Sequence, residues 1–272
     1  MADSNLSTIG IDEKYMDFTG RKVSFILTLV PLILLIAGIA TSLGSADLTL
    51  GEAYTALLHK FFPDYFQSNW LAETCVWDLR LPRILMGILA GTGLGFSGCI
   101  IQGVLRNPLA SPYTLGISSG AGFGASLAIL AGGGLAGGQY LVIGSAFVFA
   151  LISSFIIIGL ASQRGARPET MILAGIAMTC LFGSATTILQ YFGEAEAVKE
   201  AVFWMVGDLG RASWNKLSIV FVVLTVCLPL LIWKSWDLNV IGGGDESAES
   251  LGVNVKRTRI FVMIVSTLMV AS

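Results

Sequence analysis

Arg80-Leu-Pro-Arg83 opens the stretch that decides the fold, and it leads into an apolar, glycine-rich run that ends at Gln102. Arg106-Asn-Pro-Leu-Ala-Ser-Pro112 follows, and a second glycine-rich apolar run then reaches Gly124. Each of the two prolines lacks an amide donor and restricts the residue before it, so this connection should form a defined turn. The stretch therefore predicts two membrane helices joined by a stiff connection.

Glycines recur at every fourth residue of both runs. On a helix this spacing places them on one face, where they let a neighbouring backbone approach closely in lipid. Most such ladders are only packing surfaces, so they indicate helix packing and not a function. The predicted packing residues are Gly87, Gly91 and Gly95 in the first run and Gly116, Gly120 and Gly124 in the second.

The composition is that of a polytopic membrane protein. Hydrophobic residues make up 54% of the chain and charged residues 12%, and the mean hydropathy is +0.78, whereas soluble domains are about 25% charged. A net charge of -2 without a basic tract argues against a nucleic-acid partner and leaves membrane lipid as the expected surroundings. Four scattered cysteines and one histidine predict no disulfide framework, metal site or cofactor.

Six apolar runs are long enough to cross a hydrocarbon layer of about 30 Å, which takes about 20 helical residues. A seventh run begins at Ile260 and stops at Ser272, so we expect the sequence to end inside a helix. Between the first two runs, residues 47–79 should lie along the interface, where their tryptophans are favoured. The prediction is an all-α polytopic membrane protein with one transmembrane domain over residues 1–272. Its six runs are 23–46, 84–105, 114–135, 139–161, 170–192 and 215–233, with a glycine-rich turn at 132–138.

The loop cations favour a cytoplasmic N-terminus. Of the sixteen Lys and Arg residues, ten then lie inside and six outside. Residues 1–22 become a cytoplasmic tail and residues 237–255 a cytoplasmic connection, whereas Arg80 and Arg83 face outward. At a membrane boundary these arginines could bind lipid phosphates, or they could pair bidentately with carboxylates of a soluble protein.

The connection after the sixth run has the pattern of a short helix. Three glycines precede Asp245, which is a favourable N-cap, and Glu246 and Glu249 suit the early turns. Gly252 can then adopt the left-handed conformation that ends a helix. On physical grounds alone, this is an ordinary surface helix.

Two absences bear on the energy source. The interiors of the six runs contain no Asp, Glu, Lys, Arg or His, the groups that ion-coupled carriers usually need. The sequence also lacks a GxxxxGK[ST] phosphate loop, so we do not expect this chain to bind ATP or to be an enzyme. Energy for transport would come from a partner; the alternatives are an ion-gradient-driven secondary carrier and a receptor subunit.

Neutral polar side chains in the runs have two interpretations. They could line a translocation pathway, or they could form hydrogen bonds between helices, which is the commoner role. These residues are Ser97, Gln102, Ser118, Ser119, Thr179, Ser184, Thr186 and Thr187.

Taken together, Arg80-Leu-Pro-Arg83, Asn107-Pro-Leu-Ala-Ser-Pro112 and Leu115-Gly-Ile-Ser-Ser-Gly-Ala121 resemble the FecCD (BtuC-like) family of ABC importer permeases. That family moves ferric siderophores, haem and cobalamin. The resemblance implies a permease of the cell (inner) membrane with about ten helices, of which this sequence would contain six and part of a seventh. It also implies ATP-binding ABC subunits, an extracytoplasmic substrate-binding protein and a second permease subunit, either a copy of this chain or a close paralogue. A ferric siderophore is the expected cargo.

The same resemblance implies roles for particular residues. Arg80 and Arg83 would dock acidic residues of the binding protein. Residues 194–216 resemble the family's re-entrant or interfacial turn before the sixth span. The turn at 106–112 is expected to fix the angle between two packed helices, and Arg106 could also contact the ATPase. The helix that couples to the ATPase, with Leu251 as its apolar anchor, would comprise Asp245, Glu246, Ser247, Ala248, Glu249, Ser250, Leu251, Gly252 and Val253.

Overall fold

The structure, a computed structural model, describes residues 2–44, 46–133, 138–163 and 165–272. The described residues form helices and turns without a strand, which confirms the all-α prediction. They divide into a first unit, residues 1–84, and a second unit, residues 85–272.

The first unit contains α1 (Ala2–Ala40), α2 (Leu50–His59) and α3 (Trp70–Thr74). Helix α1 shows that the predicted N-terminal tail is helical from its second residue. Helix α2 begins with a capping box, because the Thr49 hydroxyl accepts from the amide of Glu52 while the Glu52 carboxylate accepts from the amide of Thr49.

Helix α3 passes through a π-helical segment, Cys75–Arg80, into α4 (Leu81–Leu105). The predicted interfacial connection at 47–79 is therefore not one amphipathic piece. Its first part is α2, and its last part continues directly into a membrane-spanning helix. Small buried side chains pack α2 against α3 and the π-helical segment: Ala53, Ala56, Ala72 and Val76.

The helices of the second unit follow α4 in chain order. Helix α5 continues into a π-helical turn, and α8 with a 3-10 turn occupies the predicted interfacial segment at 194–216. The glycine-rich turn predicted at 132–138 lies largely outside the described residues. The helices are α5 (Ile117–Ala128, then Ile129–Gly133), α6 (Gln139–Ser162), α7 (Pro168–Phe192), α8 (Ala195–Val206, with Leu209–Arg211 after it), α9 (Trp214–Trp233), α10 (Ser235–Gly242), α11 (Asp245–Ser250) and α12 (Val255–Ala271).

Five helices of the described residues, not six, are long and apolar enough to cross a membrane: Met16–Ala40, Trp70–Leu105, Tyr140–Ser162, Pro168–Phe192 and Trp214–Trp233. The predicted run at 114–135 gives only the shorter apolar helix Ile117–Ala131, about 22 Å long. Its start is delayed because Gly116 has a φ of +71°, outside the helical region. At the other end of the sequence, α12 begins at Val255, five residues before the predicted run.

Helix α5 packs tightly against α6 through its glycines. A Cβ atom added to Gly120 would lie 2.7 Å from the carbonyl oxygen of Phe149, and one added to Gly124 would lie 2.5 Å from that of Ser145. The Ser145 hydroxyl donates to the carbonyl oxygen of Gly124 at 2.7 Å, which also requires the two backbones to be close. Gly116, just before α5, lies instead against α7, where an added Cβ would be 2.9 Å from the carbonyl oxygen of Gly175. The second predicted ladder is thus covered by helices of the same chain.

The glycines of α4 have different surroundings. Among the described residues, and apart from the backbone of α4 itself, no atom lies within 4 Å of a Cβ added to Gly91 or Gly95, and both residues are exposed. A Cβ added to Gly87 would lie 3.6 Å from the side chain of Leu209. The core of the second unit instead uses the end of α4, together with α5, α6, α7, α9 and α12; its large buried side chains include Ile101, Leu115, Ile157, Met171, Leu231 and Met263.

Candidate functional site

The segment between α9 and α12 contains two short helices, of which α10 is absent from the sequence prediction. The second, α11, spans Asp245–Ser250, and its N-cap is Gly244. The prediction of Asp245 as the N-cap is therefore wrong by one residue. Asp245 is the first helical residue, and its carboxylate accepts hydrogen bonds from Arg259.

Helix α11 ends in a Schellman motif. Gly252 has a φ of +84°, the left-handed conformation that its position after the helix predicts. Its amide donates to the carbonyl oxygen of Glu249, and the amide of Val253 donates to that of Ala248, both at 3.0 Å. The turn that follows α11 is therefore a defined structure.

One side of this segment is buried and the other is exposed. Ala248 and Val253 pack with Ile241 and Val255 in a small apolar cluster. Leu251, at the end of the helix, is 63% exposed. The remaining exposed members of the predicted coupling set are Glu246, Ser247, Glu249, Ser250 and Gly252.

Arg259, near the start of α12, fixes the beginning of α11. Its side chain is 1% exposed, and its Nη1 and Nη2 atoms donate to the two carboxylate oxygens of Asp245 at 2.8 and 2.7 Å. Its Nε donates to the carbonyl oxygen of Val104 at 3.3 Å, and Nη1 also donates to that of Ala166 at 3.2 Å. This planar, bidentate arrangement suits a guanidinium and not an ammonium group.

A second arginine approaches the same carboxylate. Nη2 of Arg106 lies 3.3 Å from Oδ1 of Asp245. Hydrogen bonding from Arg259 lowers the pKa of Asp245, and the positive charges of Arg259 and Arg106 lower it further, whereas partial burial raises it. Asp245 is therefore an anion held between two cations.

Residues 106–112 form the defined turn that the prolines predict. The amide of Ala110 donates to the carbonyl oxygen of Asn107 at 3.1 Å. The amide of Leu109 donates to Oδ1 of Asn107 at 2.9 Å, so the asparagine side chain supports the turn from within. Leu109 itself is 82% exposed.

The expectation that Arg80 presents an exposed guanidinium does not hold. Its side chain is 7% exposed and donates to the carbonyl oxygens of Thr41 and Ala46, at 2.8 and 2.6 Å. The reason is local: α1 ends at Ala40, and the turn after it offers backbone carbonyl groups that a guanidinium can satisfy. Arg83, one helical turn later, is exposed.

The neutral polar residues considered for a pathway have mixed surroundings. Thr179, Thr186 and Thr187 donate to carbonyl oxygens of their own helix, and Ser97 is fully buried. Gln102 and Ser184 are exposed. A cavity of about 300 Å³ is lined by residues that include Ser118, Ser119, Thr186 and Trp204.

The model of the FecCD transport family matches residues 31–272. A protein of Methanocaldococcus jannaschii, named provisionally as an ABC transporter permease, is 39% identical over 268 residues, which cover 95% of this chain and 75% of that protein. The molybdate import system permease MolB of Haemophilus influenzae is 31% identical over 252 residues, covering 92% and 72%.

A solved structure shares the fold. It shows an inward-facing ABC transporter assigned provisionally to the metal-chelate type, and it matches with a TM-score of 0.76 and 30% identity over 91% of this chain and 74% of that chain. Other relatives are named as import or transport system permeases for cobalamin in Halobacterium salinarum, hemin in Yersinia pestis and Fe(3+)-citrate in Bacillus subtilis. With a family match over this much of the sequence and relatives above 30% identity, the chain belongs to the FecCD transport family.

Proposed function

We propose that this chain is the permease subunit of an ATP-driven importer for a bulky metal chelate, with a ferric siderophore as the cargo to test first. Relatives named for hemin, cobalamin and Fe(3+)-citrate support that class of cargo. A further relative is named for molybdate, which is a small oxyanion and not a bulky chelate. Haem and cobalamin are the other cargoes within the proposal.

The observation that carries the proposal is the exposed Leu251 at the end of an anchored helix. Leu251 lies beside the exposed acids Glu246 and Glu249. Lipid is an unfavourable environment for this surface, because the two carboxylates would be desolvated there. A soluble partner with an apolar cleft would cover Leu251 and leave the acids at the rim. A cytosolic ATPase subunit is such a partner.

The complete assembly would contain two ATPase subunits, a second permease subunit and an extracytoplasmic binding protein in the cell (inner) membrane. Residues 237–255 and the N-terminus would face the cytoplasm. When the ATPases close on ATP, they would move α11, and the permease would alternate between outward and inward access. ATP hydrolysis takes place on the partner and not on this chain.

Arg83 is the better candidate for docking the binding protein. It is exposed and belongs to the Arg-Leu-Pro-Arg motif, so its charge can guide a transient encounter with acidic residues. Arg80 would act only indirectly, because its side chain is used in hydrogen bonds to the carbonyl oxygens of Thr41 and Ala46.

The absence of ionisable residues from the apolar runs supports an external energy source for transport. The apolar runs 23–40, 84–105, 140–162, 170–192 and 217–233 contain no Asp, Glu, Lys, Arg or His. A proton relay uses such groups inside the membrane. The rival function, an ion-gradient-driven carrier, would have to bind its ion through backbone carbonyls alone.

Reconstitution tests the proposal against both rivals. The permease, its ATPase and its binding protein are placed in proteoliposomes, and uptake of a radiolabelled ferric siderophore, haem or cobalamin is measured with internal or external ATP, with an uncoupler, or with only a proton or sodium gradient. ATP-dependent uptake that survives the uncoupler is expected. Uptake by the permease alone on an ion gradient would establish the carrier instead, and unchanged cellular uptake after deletion would favour a receptor subunit.

A further inference from the structure

Three segments that are distant in sequence meet at the Arg259 side chain. Asp245 is 14 residues away, Ala166 is 93 and Val104 is 155. They belong to the start of α11, the connection before α7 and the last turn of α4. Removing the Arg259 guanidinium from water is costly unless its donors are satisfied inside the protein. Because all three segments supply acceptors, the position of the side chain is determined by the three together.

The two backbone segments at this point have unusual conformations. Arg106 (φ +48°) and Ala166 (φ +57°) are the non-glycine residues with positive φ in the described part of the chain. Such a conformation is strained for a residue with a side chain, and glycine usually occupies this position after a helix. Because both lie at the Arg259 cluster, the backbone there is held by its surroundings.

At Arg106 the positive φ ends helix α4. Its amide donates to the carbonyl oxygen of Gly103, and the amide of Asn107 donates to that of Gln102, which is the Schellman pattern with arginine in place of glycine. A glycine would relieve the strain, but it would lose the side chain that lies 3.3 Å from Asp245. The end of α4 and the start of α11 are thus joined by an ion pair as well as through Arg259.

We propose that Arg259 is the positioning residue of the coupling segment. Through Asp245 it holds this segment against the last turn of α4 and the connection before α7. This inference rests on the proposed function, because a coupling role for α11 is assumed. The clamp makes α11 a rigid lever: a displacement of Leu251 by the ATPase reaches α12 and α4 without being absorbed in the connection. Asp237 supports the same lever, since its Oδ2 accepts from Lys234 Nζ at 2.7 Å and from the hydroxyl of Thr258 at 3.3 Å.

The test compares conservative variants of the clamp with a neighbouring control. Arg259→Lys retains the charge but cannot form the bidentate contact, and Asp245→Asn removes the charge of its partner. Arg257→Lys is the matched control, because Arg257 is an exposed arginine two residues earlier in the same helix. The double variant measures whether Asp245 and Arg259 act through each other.

Two readouts separate anchoring from transport. The first is amide hydrogen exchange of residues 245–253 in the permease alone, where Ala248, Leu251, Gly252 and Val253 donate backbone hydrogen bonds. The second is the number of cargo molecules imported per ATP hydrolysed by the reconstituted importer, together with the amount of ATPase that co-purifies.

Arg259→Lys and Asp245→Asn are expected to raise the exchange rates about tenfold and to lower cargo per ATP several-fold, with ATPase still bound and active. The double variant should be no worse than the worse single variant, and Arg257→Lys should match the unchanged protein. If Arg259→Lys does not fold, Asp245→Asn still tests the inference. The Asp245 side chain is partly exposed, so we expect its replacement to leave the protein folded.

Unchanged exchange, additive effects or an unchanged cargo-to-ATP ratio in a working importer would overturn the inference. If the unmodified importer binds no ATPase and moves no cargo, the proposed function fails instead. Exchange in the permease alone then still shows whether Arg259 anchors α11.

Discussion

At the scale of single residues, buried arginines shape this molecule by satisfying backbone carbonyl groups. Arg80 does so in the first unit, for the turn after α1, and Arg259 does so in the second unit, for the last turn of α4. A guanidinium has five donors in one plane, so it can serve several carbonyl oxygens that a short turn leaves unpaired. Neither role can be predicted from the sequence, in which both residues are simply cations that precede an apolar run.

Charge reversal at Arg83 should weaken docking of the binding protein. We expect Arg83→Glu to reduce the affinity of the loaded binding protein about tenfold or more, with most of the loss in the association rate and less of it at high salt. Surface plasmon resonance on permease in nanodiscs measures both rates. Lys22→Glu, on the face predicted to be cytoplasmic, is the matched reversal, and an equal loss there would contradict the assignment.

The pairing of Asp245 predicts a pH dependence with a definite sign. The pKa of this carboxyl is lowered from 3.8 in the folded protein, so its stabilising effect is complete above that value and is lost as the pH falls through the lowered pKa. We expect Asp245→Asn to cost about 1 to 3 kcal/mol at neutral pH, less than for a fully buried pair because the side chain is 32% exposed.

Thermal unfolding of the two proteins in detergent checks this prediction. The difference in Tm between the unchanged protein and Asp245→Asn should be constant from about pH 7 to pH 5 and should shrink below about pH 4. A difference that grows on acidification would refute the ion pair.

At the scale of elements, two glycine ladders with the same spacing have different surroundings. Gly120 and Gly124 of α5 lie against the backbone of α6, whereas in the described part of the chain Gly91 and Gly95 of α4 have no neighbouring helix within 4 Å of an added Cβ. The spacing predicts that both faces permit close approach. It does not predict which face finds a partner within the chain, because that depends on where the other helices pack.

Alanine substitution distinguishes the two ladders. Gly124→Ala should destabilise the subunit by about 1 to 3 kcal/mol, because the new methyl group overlaps the α6 backbone. Gly95→Ala should be neutral or slightly stabilising in the isolated subunit, since alanine favours a helix and nothing obstructs it. Chemical denaturation in mixed micelles measures both; equal losses would contradict the packing described.

The coupling helix gives a prediction for association. Leu251→Asp should remove most of the ATPase from permease purified in detergent, because a charge replaces the apolar side chain that the partner would cover. Gln163→Asp adds the same charge at an exposed position after α6 and should leave the complex intact. Co-purification of the ATPase with Leu251→Asp at the level of the unchanged protein would exclude Leu251 as the anchor.

At the scale of the whole molecule, the sequence suffices for what is local and periodic. Apolar runs predict the membrane helices, prolines predict the turn at 106–112, and Gly252 predicts the end of α11. It does not suffice for the short α5, the helix α10 or the burial of Arg80 and Arg259. The burial of the two arginines depends on partners up to 155 residues away, which residue order alone does not reveal.

The contacts that Arg259 makes with main-chain oxygens have a consequence for how such chains diverge. Every residue has a backbone carbonyl group, so these hydrogen bonds do not depend on which side chain occupies positions 104 and 166. They do depend on chain length, because an inserted or deleted residue would shift the oxygen out of reach. We therefore expect related chains to keep the number of residues constant at these two places, and to change the aspartate and the arginine only as a pair.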